Sequence, residues 1–155
     1  MLRIDLRQLQ QGPVETTGAL APEDPALAGL DLALTGPVEV SGRLQATEGD
    51  NYLWRGHVHA VVAGECRRCL EPVEQVVDGD VDVLFSSDPE LLDDPGVYEL
   101  AADAATLDVA VAVREEVALL ASAFPLCRPD CKGLCPTCGA DLNAGPCGCA
   151  VGSTN

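Results

Sequence analysis

The sequence predicts a mainly β member of the α+β class: an antiparallel sheet or partly closed barrel, one main covering helix, and a C-terminal zinc-ribbon-like tail. Three observations carry that expectation. Apolar and polar residues alternate repeatedly between residues 30 and 86, one segment near 106–122 has helical spacing, and six of the eight cysteines lie within 127–149. The apolar 47% of the chain is rich in Val, Leu and Ala, with one Trp, two Tyr and two Phe. Small branched residues of this kind favour a sheet under a helix over a deep aromatic pocket.

The elements follow in chain order. Ile4-Asp5-Leu6 fits a short strand, and residues 12–29, dense in Pro and Gly, read as an irregular loop. Alternation places strands at 30–34 (LDLAL) and 37–46 (PVEVSGRLQA), with a turn at Gly49-Asp50-Asn51. A long strand is expected over 52–66, bulged near Gly56, and another over 72–86, where Val73, Val76 or Val77, Val81, Val83 and Phe85 supply apolar positions. Together these imply an antiparallel meander of about four to six strands. Residues 87–105, acidic and interrupted by Pro, read as loop. Val109, Val113, Val117 and Leu120 then recur at helical spacing, with Thr106 as a cap and Pro125 as a stop. The division expected is a β-rich domain over 1–124 and a cysteine-rich zinc-binding tail over 125–155 packed on it.

Charge narrows the function. The formal net charge is −16, from 25 acidic and nine basic residues. Bulk electrostatics therefore repel nucleic acid and anionic membrane and attract a basic partner. From Glu71 to Val113 there are 12 acidic residues and no Lys or Arg. That stretch is either a solvated face or a dock for a basic protein. No apolar run reaches the roughly 18 residues of a membrane span. The N-terminal MLRIDLRQLQQ lacks signal-peptide features. A cytoplasmic protein is expected, and in that compartment eight cysteines point to metal or redox chemistry rather than disulfides.

The cysteines divide by ligand count. Tetrahedral zinc takes four ligands. Cys135-Pro-Thr-Cys138-Gly139 has the form of a metal knuckle, whose closing turn asks Gly139 for a positive φ. Cys147 and Cys149 complete a first site; alternatively Cys127 and Cys131 complete it from the N-terminal side. Upstream, Cys66-Arg-Arg-Cys69 sits between two β segments as a hairpin tip would. The partition that uses every thiol gives Cys135, Cys138, Cys147 and Cys149 one zinc, and Cys66, Cys69, Cys127 and Cys131 a possible second. An all-thiolate site leaves no open position for water or substrate, so structural zinc is expected rather than catalytic zinc. A redox role for Cys66 and Cys69 is the competing use, since flanking arginines favour a thiolate.

Four of the nine basic residues lie beside cysteines: Arg67, Arg68, Arg128 and Lys132. If the two upstream and two tail thiols share a metal, these side chains gather as a patch able to touch phosphate; their other role is to offset the charge of a zinc–thiolate centre. His57 and His59 share one face of a presumed strand with no third ligand evident, and read as ordinary surface residues. No Ser-His-Asp set, phosphate-cradling Gly loop or H-E-x-x-H motif is present.

Glu65–Val73 (ECRRCLEPV), Phe124–Cys127 (FPLC) and Cys131–Asn143 (CKGLCPTCGADLN), set after a β region and an acidic stretch, resemble the YceD-type family. Its members are called large ribosomal RNA subunit accumulation proteins. The resemblance runs from about residue 30 to 149. It implies a non-enzymatic bacterial factor that supports 23S rRNA accumulation and large-subunit assembly, with zinc as a stabilising staple. The expected partner is a large-subunit precursor, met through a basic ribosomal protein or through 23S rRNA, with no membrane involved. Two other readings remain open: a zinc-ribbon interaction module in transcription or regulation, and a CxxC thiol oxidoreductase.

Overall fold

A computed structural model describes residues 2–149 of the chain. Two compact units emerge. The first spans the N-terminal region to Val62 together with Val76–Ala121; the second joins Ala63–Gln75 to the segment from Ser122 onward.

The first unit holds most of a six-stranded sheet. Its strands are β2 (Val14–Leu20), β3 (Ala33–Leu34), β4 (Val38–Ala46), β5 (Tyr52–Glu65), β6 (Pro72–Ser86) and β7 (Val97–Glu99). They are ordered β2-β4-β5-β6-β7, with β3 paired to β5 off that path. A second, two-stranded sheet pairs β1 (Arg3–Asp5) antiparallel with β8 (Thr106–Asp108). The only α-helix among the described residues, α1, covers Ala110–Leu120. The class is mainly β with one main helix, as predicted, and the sheets are open rather than closed into a barrel.

Period-2 alternation explains the two faces. Val38, Val40 and Leu44 of β4, Trp54, Val58 and Ala60 of β5, and Val77, Val81, Val83 and Phe85 of β6 are buried in one core. Val109, Val113 and Val117 join it, all fully buried, so the apolar stripe read at helical spacing is the face that packs. Leu120 settles over Gly79 of β6, where an added Cβ would lie 2.8 Å from its Cδ1. On the outward face, Arg55 meets Asp82 and His57 meets Asp80, an order that runs β5 and β6 antiparallel.

Trp54, the single tryptophan, is wholly buried, and its indole lies across β5 and β4. A Cβ on Gly56 would stand 2.4 Å from the ring, and one on Gly42 would stand 2.8 Å from Nε1. The indole N–H donates to Thr16 Oγ1 at 2.9 Å, which satisfies both buried groups. Gly56 is therefore a ring seat and not a bulge: the β4–β5 register is unbroken from Glu39↔His59 to Ala46↔Tyr52.

Other expectations are corrected. Residues 14–20, read as loop, form β2, because pairing with β4 satisfies their backbone from Val14↔Leu44 to Leu20↔Val38. The strand expected over 30–34 shrinks to Ala33–Leu34. Within 87–105, Val97–Glu99 adds parallel to β6, so the meander is not wholly antiparallel. The helix does not begin at Thr106, which pairs with Asp5 across β1–β8; Asp108 instead accepts the Ala110 N–H at 2.9 Å. Ile4 and Asp5 are strand as read, but Leu6 opens a short 3-10 helix, Leu6–Gln11. The turn at 49–51 is present as a 3-10 segment, Glu48–Asp50, followed by Asn51.

The second unit contains little apolar packing. Its cluster is Cys66, Cys69 and Cys131, with Leu126 and Leu134 half-buried beside them. A short bridge, Leu134↔Asp141, closes the tail into a small hairpin.

Candidate metal centres and the cysteine knuckles

Two turns of near-identical construction present the thiols. In the first, the Cys66 N–H donates to Glu71 O at 2.8 Å and the Leu70 N–H to Cys66 O at 2.9 Å. In the second, the Cys135 N–H donates to Ala140 O at 2.8 Å and the Gly139 N–H to Cys135 O at 2.9 Å. The residue after the second cysteine is left-handed in both: Leu70 at φ 64° and Gly139 at φ 74°. A knuckle of this shape turns successive backbone N–H groups toward its first sulfur. The Cys66 thiol is accordingly drawn down to about 6, chiefly by the backbone N–H groups of Cys69 and Cys127. Cys135 is drawn down to about 6 by those of Cys138 and Thr137.

The eight thiols fall into two groups of four. Cys66, Cys69, Cys127 and Cys131 form one, Cys135, Cys138, Cys147 and Cys149 the other, and within each group the sulfurs lie within 4.8 Å of one another. Either group could hold a metal ion. In the first, Cys66 Sγ lies 3.7 Å from Cys131 Sγ and Cys69 Sγ lies 3.6 Å from Cys127 Sγ. Four sulfurs at a zinc–sulfur length of about 2.3 Å in a tetrahedron stand about 3.8 Å apart. A disulfide needs about 2.05 Å. The spacing fits metal ligation, and all eight cysteines are free.

Within each group the thiols oppose one another. Desolvation pushes the thiol of Cys127, an otherwise exposed residue, up to about 12, with the neighbouring sulfurs of Cys69, Cys131 and Cys66 adding to the rise. Hydrogen bonding with Cys138, Cys147 and Cys135 lifts Cys149 to about 11. Four thiolates in so small a space repel, and a divalent cation is what relieves that repulsion.

Asn143, which the sequence offered only as the end of the Cys131–Asn143 stretch, supports the first group. The Asn143 amide donates to Cys131 Sγ at 3.3 Å and is the largest influence lowering that thiol. Its Oδ1 accepts from the Lys132 N–H at 2.8 Å and from Arg128 Nη2 at 2.7 Å. Such outer contacts fix the orientation of a ligand. The pattern L-N just after the second knuckle was the available signal, though the contact reaches back 12 positions to Cys131.

The four basic residues beside the cysteines do not act alike. Arg68 Nη1 donates to Cys131 O at 2.9 Å, and Arg128 is held by Asn143 and Asp130. Arg67 stacks over the exposed Phe124 ring, 5.1 Å from its centroid. The Lys132 side chain is exposed. His57 and His59 lie on the outward sheet face, where His57 bonds Asp80 at 2.9 Å and Asp78 at 3.2 Å and His59 bonds Asp78 at 2.8 Å.

Residues 54–155 match the model of the family described as large ribosomal RNA subunit accumulation protein YceD. The chain belongs to the YceD family. Among relatives of this YceD-family chain, an uncharacterized protein of Mycobacterium tuberculosis is 36% identical over 63% of the chain and 48% of its own length. The chloroplastic YCED homolog 1 of Zea mays, a large ribosomal RNA subunit accumulation protein by name, is 28% identical over 87% of the chain and 51% of its own length. An uncharacterized protein of Mycobacterium leprae is 29% identical over 83% of the chain and 62% of its own length. The chain thus spans about half the length of the first of these curated relatives. No solved structure matches it. No helix among the described residues is long and apolar enough to cross a membrane.

Proposed function

We propose that this YceD-family chain is a non-catalytic factor in large ribosomal subunit accumulation, acting by binding a basic protein of the subunit precursor. The observation that carries the choice of partner is the charge distribution: 12 acidic residues and no basic one between Glu71 and Val113, in a chain of net charge −16. Such a surface attracts a basic protein and repels rRNA. The cationic patch that favours rRNA is small, because Arg68 and Arg128 already serve backbone and side-chain partners within the chain. Arg67 and Lys132 are what remain to it.

Zinc is the metal proposed for both thiol groups, since four-thiolate sets with knuckle spacing are its structural mode. Cys66, Cys69, Cys127 and Cys131 would hold one ion, and Cys135, Cys138, Cys147 and Cys149 the other. Bound there, zinc supplies charge neutralisation and cross-linking, and its closed shell leaves no site for a substrate. The zinc-ribbon reading in transcription and the thiol-oxidoreductase reading predict other partners and other reactivity. Deletion of the gene should reduce 23S rRNA and large subunits, and the tagged protein should co-purify with large-subunit precursors. A normal subunit profile with RNA polymerase as the co-purifying partner would establish the transcription reading. Rapid modification of Cys66 or Cys69 by a thiol probe in the zinc-loaded protein would establish the redox one.

A further inference from the structure

The acidic stretch folds around an apolar cleft. β7, the last strand in the order of its sheet, adds parallel to the end of β6, and β8 leads into α1. Phe85, Tyr98, Leu107 and Val111 from these four elements line a cleft of about 360 Å³. Phe85 and Leu107 are buried members of the core, so the cleft opens onto the core itself. The Phe85 and Tyr98 rings stand 5.5 Å apart, tilted by 36°. A cavity of this size and lining admits a large apolar side chain.

Val111 is the odd valine of α1. Val113 and Val117 are wholly buried, whereas Val111 is 55% exposed. A β-branched side chain loses rotamer freedom in a helix, and at Val111 little burial offsets that loss. Its apolar surface leaves water only when something fills the cleft beside it.

Charge selects the occupant. Every lining residue falls between Phe85 and Val111, inside the stretch that has 12 acids and no Lys or Arg. Glu99 and Asp108 are exposed and line the cleft with the apolar groups. Glu115 stands one turn on from Val111; burial, then hydrogen bonding with Glu115, push the Tyr98 phenol well above its ordinary range. None of these three carboxylates enters an ion pair among the described residues. Two cations sit on the same or neighbouring elements, and neither lines the cleft. Arg114 of α1 donates to Ala28 O at 3.0 Å, and Arg3, opposite Asp108 in the β1–β8 register, donates to Thr106 Oγ1 at 3.3 Å. We propose that this cleft docks a segment of a basic protein, seating one apolar side chain against Phe85, Leu107 and Val111 while an adjacent Lys or Arg meets Glu99 and Asp108. The proposal rests on the reading of the chain as a binder of a basic large-subunit protein, and it locates where that binding is anchored.

The test uses the full chain, immobilised, as wild type, Val111→Gln and Glu99→Lys. Leu119→Gln is the control for an exposed apolar residue on the same helix, and Asp93→Lys for an equal change of charge at another exposed acid of the stretch. Each is titrated with the RNA-free protein fraction of large ribosomal subunits and, separately, with naked 23S rRNA. Wild type and both controls should retain the same basic protein or proteins. Val111→Gln and Glu99→Lys should weaken that retention at least about tenfold, as loss of an anchor does. Gln is at least as good a helix former as Val, so the thermal midpoint of Val111→Gln should stay near wild type. In methyl-labelled wild type, the retained protein should shift the Val111 and Leu107 resonances and leave Leu119 unmoved; this readout decides the matter even if a variant fails to fold. Unmoved Val111 and Leu107 methyls, or equal weakening by Glu99→Lys and Asp93→Lys with Val111→Gln unaffected, overturn the cleft while the basic-protein reading stands. Retention by wild type of rRNA or an acidic protein alone, or of nothing, overturns that reading and the cleft with it.

Discussion

Metal removal should unfold the second unit and leave the first standing. The larger aliphatic side chains of the second unit, Val73, Leu126, Leu134 and Leu142, are all only half-buried, beside the buried thiols of Cys66, Cys69, Cys131 and Cys135. Full burial of such a side chain contributes about 1.5–3 kcal/mol, so at half burial the four supply at most about 6 kcal/mol. A structural zinc contributes about 10–16 kcal/mol in small domains at neutral pH. The metal, not the core, is therefore the dominant stabilising term there. The first unit keeps its own core, from Ile4 to Val117. Under reducing conditions, a strong zinc chelator should abolish amide protection over residues 63–75 and 126–143. Emission from the buried Trp54 should stay unshifted. Zinc released into a chromogenic chelator should amount to two ions per chain, and Cys66→Ser should bring it to one. Metal-free, reduced protein that retains amide protection in the knuckles would refute the reasoning.

Three further outcomes follow from the geometry. Gly56→Ala drives a Cβ to 2.4 Å from the Trp54 ring, which is tied to Thr16 and seated on Gly42, so the ring has nowhere to retreat. Overpacking costs about 1–3 kcal/mol and a stranded indole N–H a similar amount, against a gain below about 1 kcal/mol from replacing a strand glycine. The urea midpoint, followed by Trp emission, should fall by about 1–3 M; a wild-type midpoint counts against the ring seat. Asn143→Ala should weaken metal retention about 10–100-fold in a competition with a chromogenic chelator, through loss of the Cys131 contact. His57 is raised above its ordinary 6.5 by hydrogen bonds to Asp80, then Asp78. Its pairing therefore stabilises fully below 6.5 and is lost as pH rises through the folded value. Asp80→Asn should move the His57 ring titration downward by NMR, and an unmoved curve removes Asp80 as the cause.

What could be read from the residues alone tracks how local the deciding interaction is. The knuckles were legible because Cys-x-x-Cys fixes its own turn, and counting four ligands per ion then constrains which pairs can combine. Val109, Val113 and Val117 declared the helix, since all three recur on one face and reach the core. The start of α1 was not legible: Thr106 is a good cap by type, and only its pairing with Asp5, 101 positions away, makes it strand. β2 escaped for a different reason. Its inward positions are Val14, Thr16, Gly18 and Leu20, and the two middle ones are a hydroxyl and a missing side chain. Thr16 serves a contact made elsewhere in the sheet, accepting the Trp54 N–H from 38 positions away. The same logic bears on Leu70. From the sequence, a leucine after CRRC is one more apolar residue restarting a strand. Only beside Gly139, with the same turn and the same hydrogen bonds, does it become a residue whose placement folding alone does not favour.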